Sequence, residues 1–145
     1  MRPLAQHGRQ QATQQGPRLA DVAGPFDVAL VSSALRAAET YRLLAARDET
    51  YPRARLIDEF YAAGARHLLE SLRQLPETAR RVIVVGHEPT MSSLAGMLHD
   101  SRDELVPQLA AGIPVAAACI VDVGVAWGQL DRRRGHVRGI LRPEN

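Results

Sequence analysis

Two places in this sequence put chemically capable side chains where an apolar strand gives way to a helix. In VSSALRAAET, residues 31–40, Ser32 and Ser33 fall at the strand end and Arg36 in the first turn of the helix that follows. In VVGHEPT, residues 84–90, Gly86 lets the backbone approach closely, His87 closes the strand and Pro89 starts the next helix. Unpaired amides at a helix start, hydroxyls and a guanidinium together make an anion site. A histidine beside an arginine at such a site suits phosphoryl chemistry, because imidazolium and guanidinium balance charge on the transferring oxygens. Each group alone has an ordinary explanation, the serines as helix caps and the arginine as a solvated surface residue. In open α/β sheets, however, ligands bind at the carboxyl ends of parallel strands, and both groups stand at such ends.

The elements that must position them follow from periodicity. LAQHGRQQATQQG and PRLADVA read as a helix broken or kinked at Gly16-Pro17. FDVALVSS reads as a strand, and ALRAAETYRLLAAR as a helix with Leu35, Ala38, Leu43 and Leu44 available for one face. ARLIDEFY is a short extended segment or loop, GARHLLESLRQLP an amphipathic helix ended by Pro76, RVIVV a strand and TMSSLAGMLHD its helix. In VPQLAAGIPVAAACIVDVGVAWGQL two strands separated by Gly124 suggest a hairpin at the sheet edge. Strands alternating with helices predict an α/β fold, a three-layer sandwich whose mostly parallel central sheet ends in an antiparallel edge strand.

A chain of 145 residues with 46% hydrophobic content is expected to be one domain, spanning 1–145. It has no apolar run of membrane-spanning length, and MRPLAQHGRQ lacks the apolar segment of a signal peptide, so a cytoplasmic location is expected, with no membrane partner. All 18 residues counted as lysine or arginine are arginines, so an anion site must use guanidinium, imidazole and backbone amides. The net charge of +2 argues against a nucleic-acid partner. The one basic patch, DRRRGHVRGILR, lacks interleaved aromatics and reads as a solvated turn and tail. The single cysteine, Cys119, reads as a small buried hydrophobe. His67 reads as surface or boundary, His99 as a structural cation at a helix C-terminus and His136 as part of the basic tail. No histidine pair has the spacing of a zinc set, and neither a metal nor another cofactor is expected.

The residues resemble those of the histidine phosphatase superfamily, which is phosphoglycerate mutase-like in fold, and within it the small SixA-type phosphohistidine phosphatases. The matching pieces stand in family order: RPLAQHGRQQA (2–12), VSSALRAAET (31–40), LIDEFYAAG (56–64), VIVVGHEPTMSSLA (82–95) and GILRPEN. The resemblance implies a phosphate pocket and reaction through a phosphorylated histidine, with Arg36 as the second arginine and His87 as the second histidine. Ser32 and Ser33, read from the strand end as anion ligands, complete the expected phosphate site, and the resemblance adds Glu59 as a possible proton donor. The substrate it implies is a phosphorylated protein or a small phosphoester. The family's nucleophile lies in an Arg-His-Gly or Arg-His-Ala motif that ends a first strand ahead of the Arg-Pro-Leu segment. Here Arg2-Pro3-Leu4 opens the sequence, so that strand and the nucleophile are expected to be missing. His7-Gly8 imitates the motif, but Gln6 precedes it and no apolar strand leads into it, so His7 is expected to face solvent. Three functions compete on this reading: an impaired phosphohistidine phosphatase, a phosphate-binding protein without turnover, and a scaffold whose open sheet edge invites association.

Overall fold

A computed structural model describes residues 5–58 and 64–144. Helix α1 (Gln6–Ala23) leads to strand β1 (Val28–Ser32), helix α2 (Leu35–Ala45) and strand β2 (Ala54–Ile57). Helix α3 (Ala65–Arg73), strand β3 (Val82–Val85), helix α4 (Thr90–Leu98) and the short helix α5 (Leu105–Ala110) follow. Strands β4 (Ala118–Val123) and β5 (Gly135–Leu141) end the chain, with a 3-10 turn at Trp127–Gln129 between them.

β1 is the centre of a parallel sheet ordered β2-β1-β3 and every one of its residues is buried. That two-sided burial explains why VALVS is an uninterrupted apolar run rather than an alternating one. Val28 and Leu30 face a layer formed with Leu68, Leu69 and Leu72 of α3 and Leu94 and Leu98 of α4. Ala29 and Val31 face the other layer, with Leu19 of α1 and Ala37, Tyr41 and Leu44 of α2. Helices therefore cover both faces, as the sequence predicts.

The antiparallel pair β4 and β5 forms its own two-stranded sheet. Val121 and Val123 pack on the α3/α4 layer and Ala118 on the α1/α2 layer, so β4 distributes its side chains over the same two layers that β3 separates. Among the described residues no ladder joins β3 to β4.

Four local expectations are corrected. First, of the break or kink expected at Gly16-Pro17, the break is overturned: α1 runs on through Pro17. Gly16 serves contact rather than breakage, because a Cβ there would lie 1.8 Å from the Leu44 carbonyl oxygen, so glycine lets α1 lie against α2. Second, α2 buries Ala37, Tyr41 and Leu44 and leaves Leu35 55% exposed. Third, the hairpin partner of β4 is the segment beginning at Gly135, not VAWGQL. The Trp127 amide donates to Glu77 and its indole N–H to the Ala79 carbonyl at 2.7 Å, which turns that segment toward the loop after α3. Fourth, much of the expected basic tail is therefore strand β5, with Val137 fully buried. Among the described residues no helix is long and apolar enough to cross a membrane.

Candidate functional site

The register of β1 and β3 sets the geometry of the site. Val31 pairs with Val85 in the parallel ladder, so Ser32 and Gly86 leave the sheet side by side, at the ~4.8 Å spacing of neighbouring strands. α2 begins at Leu35 and α4 at Thr90, so two helix N-termini start at the same end of the sheet.

Ser32 is fully buried, and its Oγ accepts the Ala34 N–H at 3.2 Å. It fastens the turn into α2 and does not cap the helix; the cap residue is Ala34, with no side-chain cap bond. The Ser32 hydroxyl still has its own proton to donate. Ser33 is exposed, and its amide donates to the Ile57 carbonyl at 3.4 Å, extending the β1–β2 ladder by one step. Arg36, the second residue of α2, is exposed and has no side-chain partner among the described residues.

On the other strand end His87 is half-buried, and its carbonyl accepts the Met91 N–H at 3.3 Å as α4 begins. The space left by Gly86 is filled from within: a Cβ there would meet Met91 Cε at 2.7 Å. The structure therefore brings Ser32, Ser33, Arg36 and His87 to one end of the sheet by strand register and helix start. Glu59 and Arg2-Pro3-Leu4 lie outside the described residues. His7 is exposed on α1 and His67 on α3.

Glu88 is the residue that the sequence reading passed over. Its Oε1 accepts the Ser92 N–H at 2.8 Å and its Oε2 the Ile113 N–H at 3.0 Å. One carboxylate thus satisfies an orphan amide of the first turn of α4 and ties the connection into β4 against the histidine turn. Gly112, at φ +89°, is required twice over: the left-handed backbone favours glycine, and a Cβ would stand 3.1 Å from Glu88 Oε2. The signal was present in the spacing, an acidic residue four positions before Ser92 at a proline-marked helix start.

His99, Asp100 and His136 are engaged with one another's elements. His99, 3% exposed, accepts the Val137 N–H at 3.0 Å on Nδ1 and faces both Asp103 oxygens, at 3.1 and 3.2 Å, with Nε2. It is structural, though through buried hydrogen bonds rather than the helix dipole. Its ligating atoms, with those of Asp100 and His136, lie within 4.8 Å of one another. A cation there would need a lone pair, and the Val137 amide and Asp103 already engage both ring nitrogens of His99. Asp100 meets His136 Nδ1 at 2.7 Å; this bond holds the carboxylate below, and the imidazole above, their ordinary values. Burial, and then the Glu88 charge, push the Cys119 thiol up to about 11, which suits a packed rather than a reactive cysteine.

Residues 2–61 match the model of the histidine phosphatase superfamily, branch 1. Two uncharacterized proteins of Mycobacterium tuberculosis, from strains CDC 1551 and H37Rv, are each 29% identical over 133 residues, covering 90% of this chain and 82% of theirs. The structure superposes on SixA of Nakamurella multipartitia with a TM-score of 0.87, at 23% identity over 99% of this chain and 86% of that one. A protein histidine phosphatase SixA complexed with tungstate gives 0.80, at 19% identity over 99% of this chain and 85% of that one. SixA of Agrobacterium tumefaciens gives 0.79, at 24% identity over 97% and 83%.

Proposed function

We propose that this chain, whose residues 2–61 match the model of the histidine phosphatase superfamily, uses Arg36, His87, Ser32 and Ser33 as a phosphate site of the phosphohistidine phosphatase type. The substrate is a phosphorylated protein side chain or a small phosphoester. The observation that carries the reading is the Val31–Val85 register, which sets the serine-arginine turn and the histidine turn side by side at two helix N-termini. Arg36 offers its guanidinium to two phosphoryl oxygens, and His87 stabilises charge on a third. The likeness to a SixA protein that binds tungstate, a phosphate-shaped oxyanion, supports the same reading.

In this mechanism a histidine nitrogen attacks phosphorus, the bond to the leaving nitrogen or oxygen breaks, and water then hydrolyses the phosphohistidine. The sequence contains no Arg-His-Gly or Arg-His-Ala to supply that nucleophile. The unjoined β3 and β4 favour the reading that the nucleophile belongs on a strand between them. The 145-residue chain then binds phosphate and turns substrate over poorly. Glu59 retains its place in the proposal as the proton donor to the leaving group. The second reading is a binding protein that holds phosphate at the same Arg36, His87, Ser32 and Ser33 without turnover.

Calorimetry with phosphate and vanadate on this chain and on Arg36→Ala tests the site, and equal heats from both proteins would remove it. Hydrolysis of phosphohistidine by a chain extended with an apolar strand ending in Arg-His separates the two readings. Turnover supports the enzyme, whereas binding without turnover in the extended form supports the binding protein.

A further inference from the structure

The arginines of DRRRGHVRGILR are not absorbed by the site at the strand ends. Arg132 and Arg133 sit in the turn before β5, and together with Arg102 they rim a groove of about 640 Å3 beside the last turn of α4. Its apolar lining is Met97, Val106 and Pro107, with Val106 45% exposed. His87 precedes the first turn of the same nine-residue helix, about 13 Å away along its axis, so groove and phosphate site are separate surfaces.

We propose that this groove docks a short acidic segment of another protein that carries one large apolar side chain. Charge complementarity sets the acidic character. Among the described residues neither Arg102 nor Arg132 has a side-chain partner, and the Arg133 Nη2 donates only to the Asp100 carbonyl at 3.2 Å. The neighbouring carboxylates are already held: Asp103 by His99 and the Leu105 amide, Asp100 by His136 and Ser101, Asp131 by Arg73 and the Arg132 amide. Three guanidinium groups are left facing a groove whose acids are spent internally.

The apolar side chain follows from the floor. Gly96 lies in the middle of α4, where glycine weakens a helix, and a Cβ there would meet nothing within 4 Å. No neighbour requires the glycine, and its absent side chain leaves an opening beside Met97 and Val106. No Phe, Tyr or Trp lines it and its one ring, His99, is 3% exposed, so the groove lacks the stacking platform of a single-stranded nucleic-acid site.

The probe is acetyl-Glu-Asp-Leu-Glu-Asp-amide, titrated into the full chain with amide shifts recorded by NMR. Shifts are expected at residues 96–107 and 131–133 and not at 32–36 or 86–88. Arg102→Glu and Arg132→Glu, exposed charge reversals, are each expected to weaken binding by about tenfold. Replacing the peptide leucine by serine is expected to weaken it about as much. Gly96→Leu, which fills the opening, should abolish the shifts; should that variant not fold, the two arginine reversals decide. The proposal is overturned by no response at millimolar peptide, by an equal response to a lysine-for-acid peptide, or by tighter binding of a short single-stranded oligonucleotide at the same salt. Because vanadate reports the other end of α4, loss of peptide binding with vanadate binding intact overturns the groove alone.

Discussion

His87 and His99 bracket one helix, His87 just before α4 and His99 as its C-terminal cap residue. The fold uses them differently. His99 is buried, with Nδ1 committed to the Val137 amide and Nε2 to Asp103, so its ring joins α4 to β5 and to the turn before α5. His87 stands half-buried at a strand end, at the start of α4 and beside the end of the neighbouring strand β1. What separates them is burial and setting: His99 is 3% exposed with both ring nitrogens held, whereas His87 is half-buried where a strand hands over to a helix. A histidine whose two nitrogens are held by its own backbone and an adjacent carboxylate is part of the scaffold, whatever its neighbours' ligand-like composition.

Substitutions should split along that line. His99→Ala is expected to cost the most stability, about 3 kcal/mol in a urea melt, because it strands the buried Val137 amide and opens a void. A loss under about 1 kcal/mol would mean that the corner repacks without the ring. His87→Ala is expected to shift the same melt by under about 1 kcal/mol while removing vanadate binding, and Arg36→Ala to weaken vanadate about tenfold with stability unchanged. A large stability loss in either would place it with His99. Glu88→Ala falls between the two, losing about 2 kcal/mol with its two amide contacts, and Glu88→Gln, which keeps one acceptor oxygen, about half of that. In the other direction, Gly96→Ala should raise stability by about 1 kcal/mol, since its Cβ meets nothing and alanine is the better helix former.

The smallest effect is in pH. Asp100 is held below the ordinary carboxylate value by its bond to His136, so its contribution is present above that value and fades as pH falls through the lowered one. His136 is held above the ordinary imidazole value by the same bond, so its contribution is full below that value and fades as pH rises through the raised one. Thermal melts should therefore show a shallow decline as pH rises past the ordinary imidazole value, and His136→Ala should flatten it. A slope unchanged in that variant would assign it to another group.

What the sequence revealed, and what it hid, has the same physical division. The layers were legible because β1 is buried on both sides and reads as an unbroken apolar run, and because its two junctions carry residues suited to strand ends. Pairing was less legible. VAWGQL has the composition of a strand, yet Glu77 and the Ala79 carbonyl capture Trp127, and GHVRGIL takes its place beside β4 although its charges suggest solvent. The exposed side of β5 absorbs those charges, as Arg138 does by pairing diagonally with Asp122 at 3.5 Å. At the site, Ser32, Arg36 and His87 could be picked out because each stands at an element boundary. Glu88 carried only half a signal, its spacing before Ser92, because its second contact is the Ile113 amide, which a distant loop contributes.

The central claim is that a tetrahedral oxyanion binds where β1 and β3 end. An NMR titration with tungstate on this chain tests it most directly. The account predicts that the amides of residues 32–36 and 86–91 move together, and that Arg36→Ala shifts their titration to about tenfold higher tungstate. Tungstate shifts gathered instead around Arg102, Arg132 and Arg133, with residues 32–36 and 86–91 still, would contradict it.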